Sequence, residues 1–195
     1  THFEVESLPT SGTWGYLHYP VMARQARTYG KPVIGMTGRF HTFWGDFGGL
    51  RPKHSLLFDC YFSLSNGGTC MIGDHMHPRA KLEPEVYSLV GDVFRTICEV
   101  EPWTDGARPV AEIAVVEPAL TGYPSRPFDS ASLRGATRML QELKQQFDVC
   151  DGTGDLTGYR VLVLPDHPEI DGALLSKLQA HLARGGAILA SAAAS

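Results

Sequence analysis

The chain has 195 residues, of which 43% are hydrophobic, and this is enough apolar material for a globular core. Its 17 Lys and Arg against 21 Asp and Glu give a formal net charge of −4, without a run of basic residues. Because proteins that bind nucleic acid neutralise phosphates with clustered Lys and Arg, the composition argues against a nucleic-acid partner. The longest apolar runs are strand-sized, well short of the about 20 residues that span a bilayer, which argues against a membrane partner.

The first hundred residues predict three β-loop-α units in tandem. Short apolar or alternating runs predict strands over 2–6, 32–36 and 69–73. Apolar residues at helical spacing predict helices over 19–30, 52–68 and 84–102. Pro20 is predicted in the first turn of the first helix, where its missing N–H costs nothing. Strands that alternate with helices imply a parallel sheet.

A Pro- and Gly-bearing linker over 101–109 separates these units from a second α/β block. In this block, strands are predicted over 110–118, 147–151, 160–166 and 187–191, and helices over 131–147 and 172–186. The pattern predicts a partial flavodoxin-like or amidotransferase-like parallel domain. We therefore assign residues 1–106 and 107–195 to two domains.

Both ends of the chain are expected to be cut. A parallel sheet needs cover on both faces, and three strands alone would leave exposed edges. We therefore interpret residues 1–106 as the last three β/α units of a TIM-type (β/α)8 barrel, whose active site lies at the carboxyl ends of the strands.

The first predicted strand carries two carboxylates. Glu4 and Glu6 are two residues apart and share one face of the strand with His2. Acidic groups that point into a barrel are costly unless they are paired or used. Two interpretations stay open: catalytic carboxylates, or a structural ion pair of one of them with Arg39 or another inward-pointing cation.

The stretch "GRFHTFWGDFGGL", residues 38–50, follows the second predicted strand and crowds polar and aromatic groups together. We interpret Arg39, His41 and Trp44 as substrate-binding residues and Asp46 as a further catalytic candidate, because aromatic faces and hydrogen-bonding groups suit a sugar ring. The structural alternatives are that Trp44 packs under the loop and that His41 is a satisfied structural histidine.

The third predicted strand ends in "IGDHMHPRAKL". This segment brings together four candidates for binding sugar hydroxyls: Asp74, His75, His77 and Arg79. The H-x-H pattern near an aspartate is also compatible with a metal ion. Further ligands are not identifiable, so neither a metal nor another cofactor is predicted.

The four cysteines, Cys60, Cys70, Cys98 and Cys150, form no C-x-x-C pair and lie among apolar neighbours. We predict four reduced core residues and a cytoplasmic protein. "VCDGTG" places Cys150 before a turn, not on the strand-to-helix elbow that an amidotransferase nucleophile requires, and the second block is interpreted as non-catalytic.

The segments "GMTGRFHTFWGDFGGL", "SLSNGGTCMIGDHMHPRAKLEPEVYSLVGDVF" and "EVEPW" resemble the barrel of bacterial α-L-fucosidase-like glycoside hydrolases. The second block resembles the β-galactosidase-type trimerisation domain that follows this barrel, in "DLTGYRVLVLPD" and "LQAHLARGGAIL". The resemblance implies a retaining glycosidase acting on a terminal sugar, and a homotrimer or other homo-oligomer. It also implies that one or both catalytic carboxylates lie before Thr1.

Two other classes of function stay open. One is a non-catalytic oligomerisation or carbohydrate-binding module that uses the same loops. The other is a complete small hydrolase or amidotransferase, which the missing G-x-S-x-G and cysteine elbows disfavour. The leading interpretation is a fragment of a glycoside hydrolase that is inactive on its own. The first activity expected of the parent enzyme is that of an α-L-fucosidase, and the second is that of a β-galactosidase.

Overall fold

The computed structural model describes residues 1–11, 14–117, 130–166 and 170–191. The chain divides into two compact units: residues 1–19 with 30–108, and residues 20–29 with 109–195. Within the described ranges, no helix is long and apolar enough to cross a membrane.

The first unit is built on a three-stranded parallel sheet in the order β1-β2-β3. The strands are β1 (Phe3–Glu6), β2 (Val33–Gly38) and β3 (Thr69–Gly73). The helices of the first hundred residues are α1 (Gly15–Ala26), α2 (Lys53–Ser65), α3 (Pro84–Cys98) and the short α4 (Glu101–Thr104), with a 3₁₀ turn over Arg27–Tyr29.

Two helices cover the sheet of the first unit through a shared apolar core. Leu56 and Cys60 of α2 pack with Val93 and Ile97 of α3, and each of these residues is at most 1% exposed. The spacing of four residues within each pair puts both side chains on one helix face. Burial of this face positions α2 and α3 against β2 and β3.

The second unit holds a four-stranded parallel sheet in the order β5-β4-β6-β7. Its elements are β4 (Ile113–Val116), α5 (Ala131–Glu142), β5 (Phe147–Cys150), β6 (Val161–Leu164), α6 (Gly172–Ala183) and β7 (Ala187–Ala190). Both helices begin with a side-chain cap, since Ser130 and Asp171 accept from the backbone N–H three residues on. The parallel α/β architecture predicted from the sequence is confirmed. In the described residues the strands form two separate sheets, not a closed barrel.

Three sequence-based details are wrong. Helix α1 begins at Gly15, so Pro20 lies inside the helix and not in its first turn. Helix α5 ends at Glu142, five residues before its predicted end, and Lys144 then adopts a positive φ of 57° that turns the chain towards β5. Cys98 is exposed, because the apolar stripe of α3 passes through its buried neighbour Ile97.

A buried ion pair joins the start of α2 to its second turn. Arg51 Nη2 lies 2.7 Å from Asp59 Oδ2, and their side chains are 2% and 6% exposed. Thr37 of β2 completes the network, since its hydroxyl accepts from Arg51 Nη1 and donates to Asp59, both at 2.7 Å. The network ties α2 to the central strand.

Replacing Asp59 by Asn should destabilise the chain by roughly 3–5 kcal/mol, because the Arg51 charge would stay buried without a counter-charge. Urea denaturation followed by circular dichroism measures the loss. Glu142→Gln is the control, since it makes the same carboxylate-to-amide change in an Arg–carboxylate pair on an exposed helix surface. Equal stability of Asp59→Asn and the wild type would show that the buried pair contributes nothing.

Candidate active site

The candidate site residues follow the carboxyl ends of the three strands of the first unit. Glu6 is the last residue of β1, Arg39 directly follows β2, and Asp74 directly follows β3. Because the strands are parallel, these three ends meet at one edge of the sheet. This edge is where α/β folds place their ligands.

Arg39 is the buried centre of this edge, with only 2% of the residue exposed. Its Nε donates to Asp74 Oδ1 at 2.8 Å, and its Nη1 donates to the carbonyls of Phe47 and Gly49 at 3.1 and 2.9 Å. Its Cζ also lies 4.2 Å from the centre of the Phe40 ring. A buried guanidinium requires such partners, so Arg39 fixes both Asp74 and the loop after β2.

Asp74 is held as a carboxylate. Burial raises the pKa of this carboxyl, but hydrogen bonds from Arg39, from the His75 backbone N–H and from the Tyr87 hydroxyl outweigh burial and hold the pKa below its usual value. The His75 N–H lies 2.8 Å from Oδ1. Such a fixed anion is suited to accept hydrogen bonds from a ligand and poorly suited to donate a proton.

Glu6 and Trp44 are joined by a short hydrogen bond. The indole Nε1 donates to Glu6 Oε1 at 2.6 Å, and both residues are half-buried. The bond runs from the loop after β2 to the end of β1, and it orients the carboxylate. Trp44 therefore does not only pack under its loop; it also positions a carboxylate.

The Trp44 ring rests on the bare backbone of Gly73. A Cβ built on Gly73 would lie well inside contact distance of Cη2 of the indole. The other neighbours of the indole are the ring of Phe40, with centroids 5.4 Å apart, and that of His75, 6.4 Å away, both edge-on. Glycine at position 73 is thus required for the observed position of the indole.

A wall of aromatic rings continues from Trp44 along the loops after β2 and β3. Phe47 stacks on His75 with 5.7 Å between centroids and 25° between planes, and it meets His77 edge-on at 5.2 Å. Phe40 joins Phe47 at 6.2 Å. The wall thus brings together Trp44, His75 and His77 of the predicted set.

The remaining candidates are less enclosed. Glu4, His41 and Arg79 are exposed. The Arg79 backbone N–H donates to His77 Nδ1 at 3.1 Å, which holds the imidazole in place. Asp46 is half-buried, and its carboxylate lies over Gly49, where a Cβ would collide with it.

Two findings differ from the sequence-based expectation. Arg39 pairs with Asp74, whereas the sequence suggested Glu4 or Glu6 as its partner. Tyr87, which contacts Asp74, was missed because it lies in the first turn of α3, 13 residues after Asp74, in a segment whose pattern predicts only a helix. Among the described residues, no cluster of three or more His, Cys, Asp and Glu side chains could hold a metal ion.

The second unit places Cys150 in an unreactive setting. Burial raises the pKa of this thiol to about 11, although its hydrogen bond to the Tyr159 hydroxyl opposes the shift. Tyr159 in turn donates to Asp148 at 2.8 Å, and Asp148 also accepts from Arg27 Nε at 2.7 Å. A thiol that stays protonated at neutral pH is a poor nucleophile.

The comparisons with solved structures identify a relative. Over 97% of its length, the chain matches α-L-fucosidase isoenzyme 2 from Paenibacillus thiaminolyticus, with 40% sequence identity and a TM-score of 0.86. The predicted resemblance to α-L-fucosidase-like glycoside hydrolases is confirmed. The chain spans 29% of the length of that fucosidase.

Two β-galactosidases share the fold of this fucosidase-like chain. A β-galactosidase from Rahnella sp. R3 matches 98% of the chain at 16% identity and a TM-score of 0.72, and the chain spans 33% of it. The GH42 β-galactosidase Gan42B matches 98% at 13% identity and a TM-score of 0.73, again with 33% of that protein spanned. No protein-family model matches the chain, and no curated protein sequence does.

Gly73→Ala should displace the Trp44 indole and break its hydrogen bond to Glu6, because the new methyl group would occupy the space of the ring. The Trp44 Nε1–H resonance in a ¹H–¹⁵N NMR spectrum, assigned with Trp44→Phe, should shift upfield. Gly48→Ala is the matched control, since a Cβ there meets nothing within 4 Å. An unchanged Trp44 resonance in Gly73→Ala would contradict the proposed packing.

Proposed function

We propose that this chain is a segment of a retaining glycoside hydrolase that removes a terminal sugar, with α-L-fucose as the first candidate and β-galactose as the second. The observation that carries the proposal is the Glu6 carboxylate, oriented by the Trp44 indole at 2.6 Å beside a wall of aromatic rings. The relationship to an α-L-fucosidase at 40% identity supports the choice of sugar.

In this proposal, the three β/α units of the first unit are the last three of a (β/α)8 barrel. Their support is the parallel order β1-β2-β3 and the gathering of polar side chains at the carboxyl edge. A complete barrel takes about 250 residues, so further β/α units would have to close it. The 195-residue chain alone should then bind sugar weakly and turn over nothing.

Retaining hydrolysis needs a nucleophile and an acid/base, with their carboxyl groups about 5–5.5 Å apart. Glu6 is the strongest candidate in this chain, because its carboxylate is fixed and half-buried. Asp46, which is half-buried, and Glu4, which is exposed, are retained as weaker candidates. If Glu6 performs one of the two roles, a carboxylate from a further strand of the barrel would perform the other.

The other predicted residues fit sugar binding. The faces of Trp44, His75 and His77 would pack on the pyranose ring, as aromatic groups do in carbohydrate sites. Asp74 would accept hydrogen bonds from sugar hydroxyls. Arg39 would act indirectly, by holding the Asp74 carboxylate in place. The exposed side chains of His41 and Arg79 would contact groups of the sugar at the rim of the site.

Glu6→Gln should lower kcat of the complete glycosidase by a factor of about 10² or more, because the amide can neither attack carbon nor transfer a proton. Release of 4-nitrophenol from the α-L-fucoside, compared with the β-D-galactoside, measures the activity and ranks the two sugars. NMR of the first-formed anomer tests retention.

Glu85→Gln, on the exposed first turn of α3, is the control for Glu6→Gln and should keep full activity. Trp44→Phe separates stacking from orientation: it keeps an aromatic face but removes the N–H that holds Glu6. Loss of a charge-assisted hydrogen bond predicts a roughly tenfold lower kcat at a similar KM. Full activity in Glu6→Gln would remove this carboxylate from the mechanism.

We further propose that the second unit mediates self-association, with a homotrimer as the first expectation. Its support is the resemblance to a trimerisation domain and a group of exposed leucines. Leu175 and Leu182 lie seven residues apart on one face of α6 and are 46% and 53% exposed; Leu189 of the adjoining β7 is 54% exposed.

Four free cysteines favour a cytoplasmic location.

The double variant Leu175→Glu/Leu182→Glu should dissociate the oligomer, because charges at a buried apolar interface are costly. Light scattering coupled to size-exclusion chromatography measures the mass of the assembly. Met139→Glu is the control, since it adds the same charge at a 42% exposed position of α5. A wild-type protein that is monomeric at all working concentrations would refute the proposal.

The aromatic wall also favours a second function, a carbohydrate-binding module without catalysis, because all of its rings belong to this chain. Titration of the 195-residue chain with fucose and galactose, followed by NMR, distinguishes the two. Sugar binding together with an inactive complete protein would favour the module.

A further inference from the structure

Two of the four cysteines lie together in the first unit. Cys60 is in the third turn of α2 and Cys70 is the second residue of β3. Cys70 packs against the apolar cluster that contains Cys60, and both side chains line the same small cavity. Cys60 is 1% exposed, whereas Cys70 is half-buried. The pair takes no part in the carbohydrate site proposed above.

The connection between α2 and β3 holds this arrangement firmly. The helix ends at Ser65, and Gly67, with a φ of 84°, turns the chain back along the helix. The Ser63 hydroxyl donates to the Thr69 carbonyl at 2.6 Å, which fastens the end of the helix to the start of the strand. The two thiols are therefore neighbours in the folded chain and do not depend on a mobile loop.

A small cavity lies beside the thiols. Both Cys60 and Cys70 line it, together with Tyr19, Gly35 and Ser63, and its volume is about 20 Å³. This space is comparable to that of one water molecule. A disulfide brings two sulfur atoms to about 2.05 Å, closer than two unbonded thiols can approach, so the sulfur atoms must move. The cavity gives the side chains room for that movement.

We propose that Cys60 and Cys70 form a reversible disulfide when the folded chain meets a small-molecule disulfide such as glutathione disulfide. The Cys70 thiolate attacks one sulfur of the oxidant, which releases one glutathione thiolate and leaves a mixed disulfide. The Cys60 thiolate then attacks the Cys70 sulfur and releases the second glutathione. Two thiols are oxidised, one disulfide is reduced to two thiols, and two protons pass to the released thiolates.

The environments of the two thiols fit these roles. The hydrogen bond from Cys60 lowers the pKa of Cys70, although burial and the Glu101 carboxylate oppose it. The same hydrogen bond, together with burial, raises the pKa of Cys60; the nearby Asp59 adds to this shift and Arg51 opposes it. The more exposed thiol is thus the better attacking group, and the buried thiol is the one that resolves the mixed disulfide.

The other two cysteines provide contrasts. Cys98 is exposed on α3, where a small oxidant can reach it. Cys150 is buried and hydrogen-bonds to the Tyr159 hydroxyl, and its pKa is raised to about 11. Glutathionylation without a protein disulfide is expected at Cys98, and no reaction is expected at Cys150.

The test is to incubate the native 195-residue chain with glutathione disulfide and to map the products by mass spectrometry without reduction. We expect a peptide pair linked through Cys60 and Cys70, a loss of two hydrogen atoms from that pair, and reversal by dithiothreitol. Cys60→Ser should instead trap one glutathione on Cys70. Cys98→Ser is the control and should still form the disulfide.

Cys60→Ala is prepared beside Cys60→Ser, since the hydroxyl of serine is poorly tolerated in an apolar core, and circular dichroism checks that each variant is folded. Modification of Cys98 alone, with Cys60 and Cys70 left as thiols, would overturn the proposal. So would a Cys60–Cys70 disulfide that forms only after urea has unfolded the chain, or glutathione on Cys60 and not Cys70 in the wild type.

Discussion

The candidate site depends on the ion pair between Arg39 and Asp74. The guanidinium is buried at the end of β2, and it reaches the loop after β3 through Asp74 and its own loop through two backbone carbonyls. One charged side chain thus connects the ends of two neighbouring strands. The aromatic rings of the site belong to the two loops, after β2 and after β3, that this side chain holds in place. Removal of either charge would leave the other one partly buried without compensation, and the loops would lose their common support.

The part of the fold that follows from periodicity was predictable. Short apolar runs at β2 and β6 and the apolar stripe of α3 gave the parallel α/β architecture, because burial requires those patterns. Boundaries were harder to predict. Proline is favoured in the first turn of a helix, which is why the sequence predicted a start near Pro20. Helix α1 instead begins at Gly15, so the surrounding structure outweighs this preference.

The site was predictable as a set of residues and not as a set of contacts. Parallel strands place the loops after them at one edge, so the gathering of Trp44, Asp74 and His75 follows from topology. Which cation meets which carboxylate depends on side-chain reach and on loop shape, which one sequence does not specify. The pairing of Arg39 with Asp74, and of Glu6 with an indole N–H, is therefore visible only in the folded structure.

The contact between Gly73 and Trp44 has an evolutionary consequence. Position 73 has no room for a side chain while the indole occupies its observed position, and the indole in turn supplies the donor for Glu6. A relative that acquires alanine or serine at position 73 must relocate its aromatic ring, and its carboxylate then needs another donor. Positions 6, 44 and 73 should thus be inherited as a unit, and substitutions among them should accumulate together along the same branches of a phylogeny.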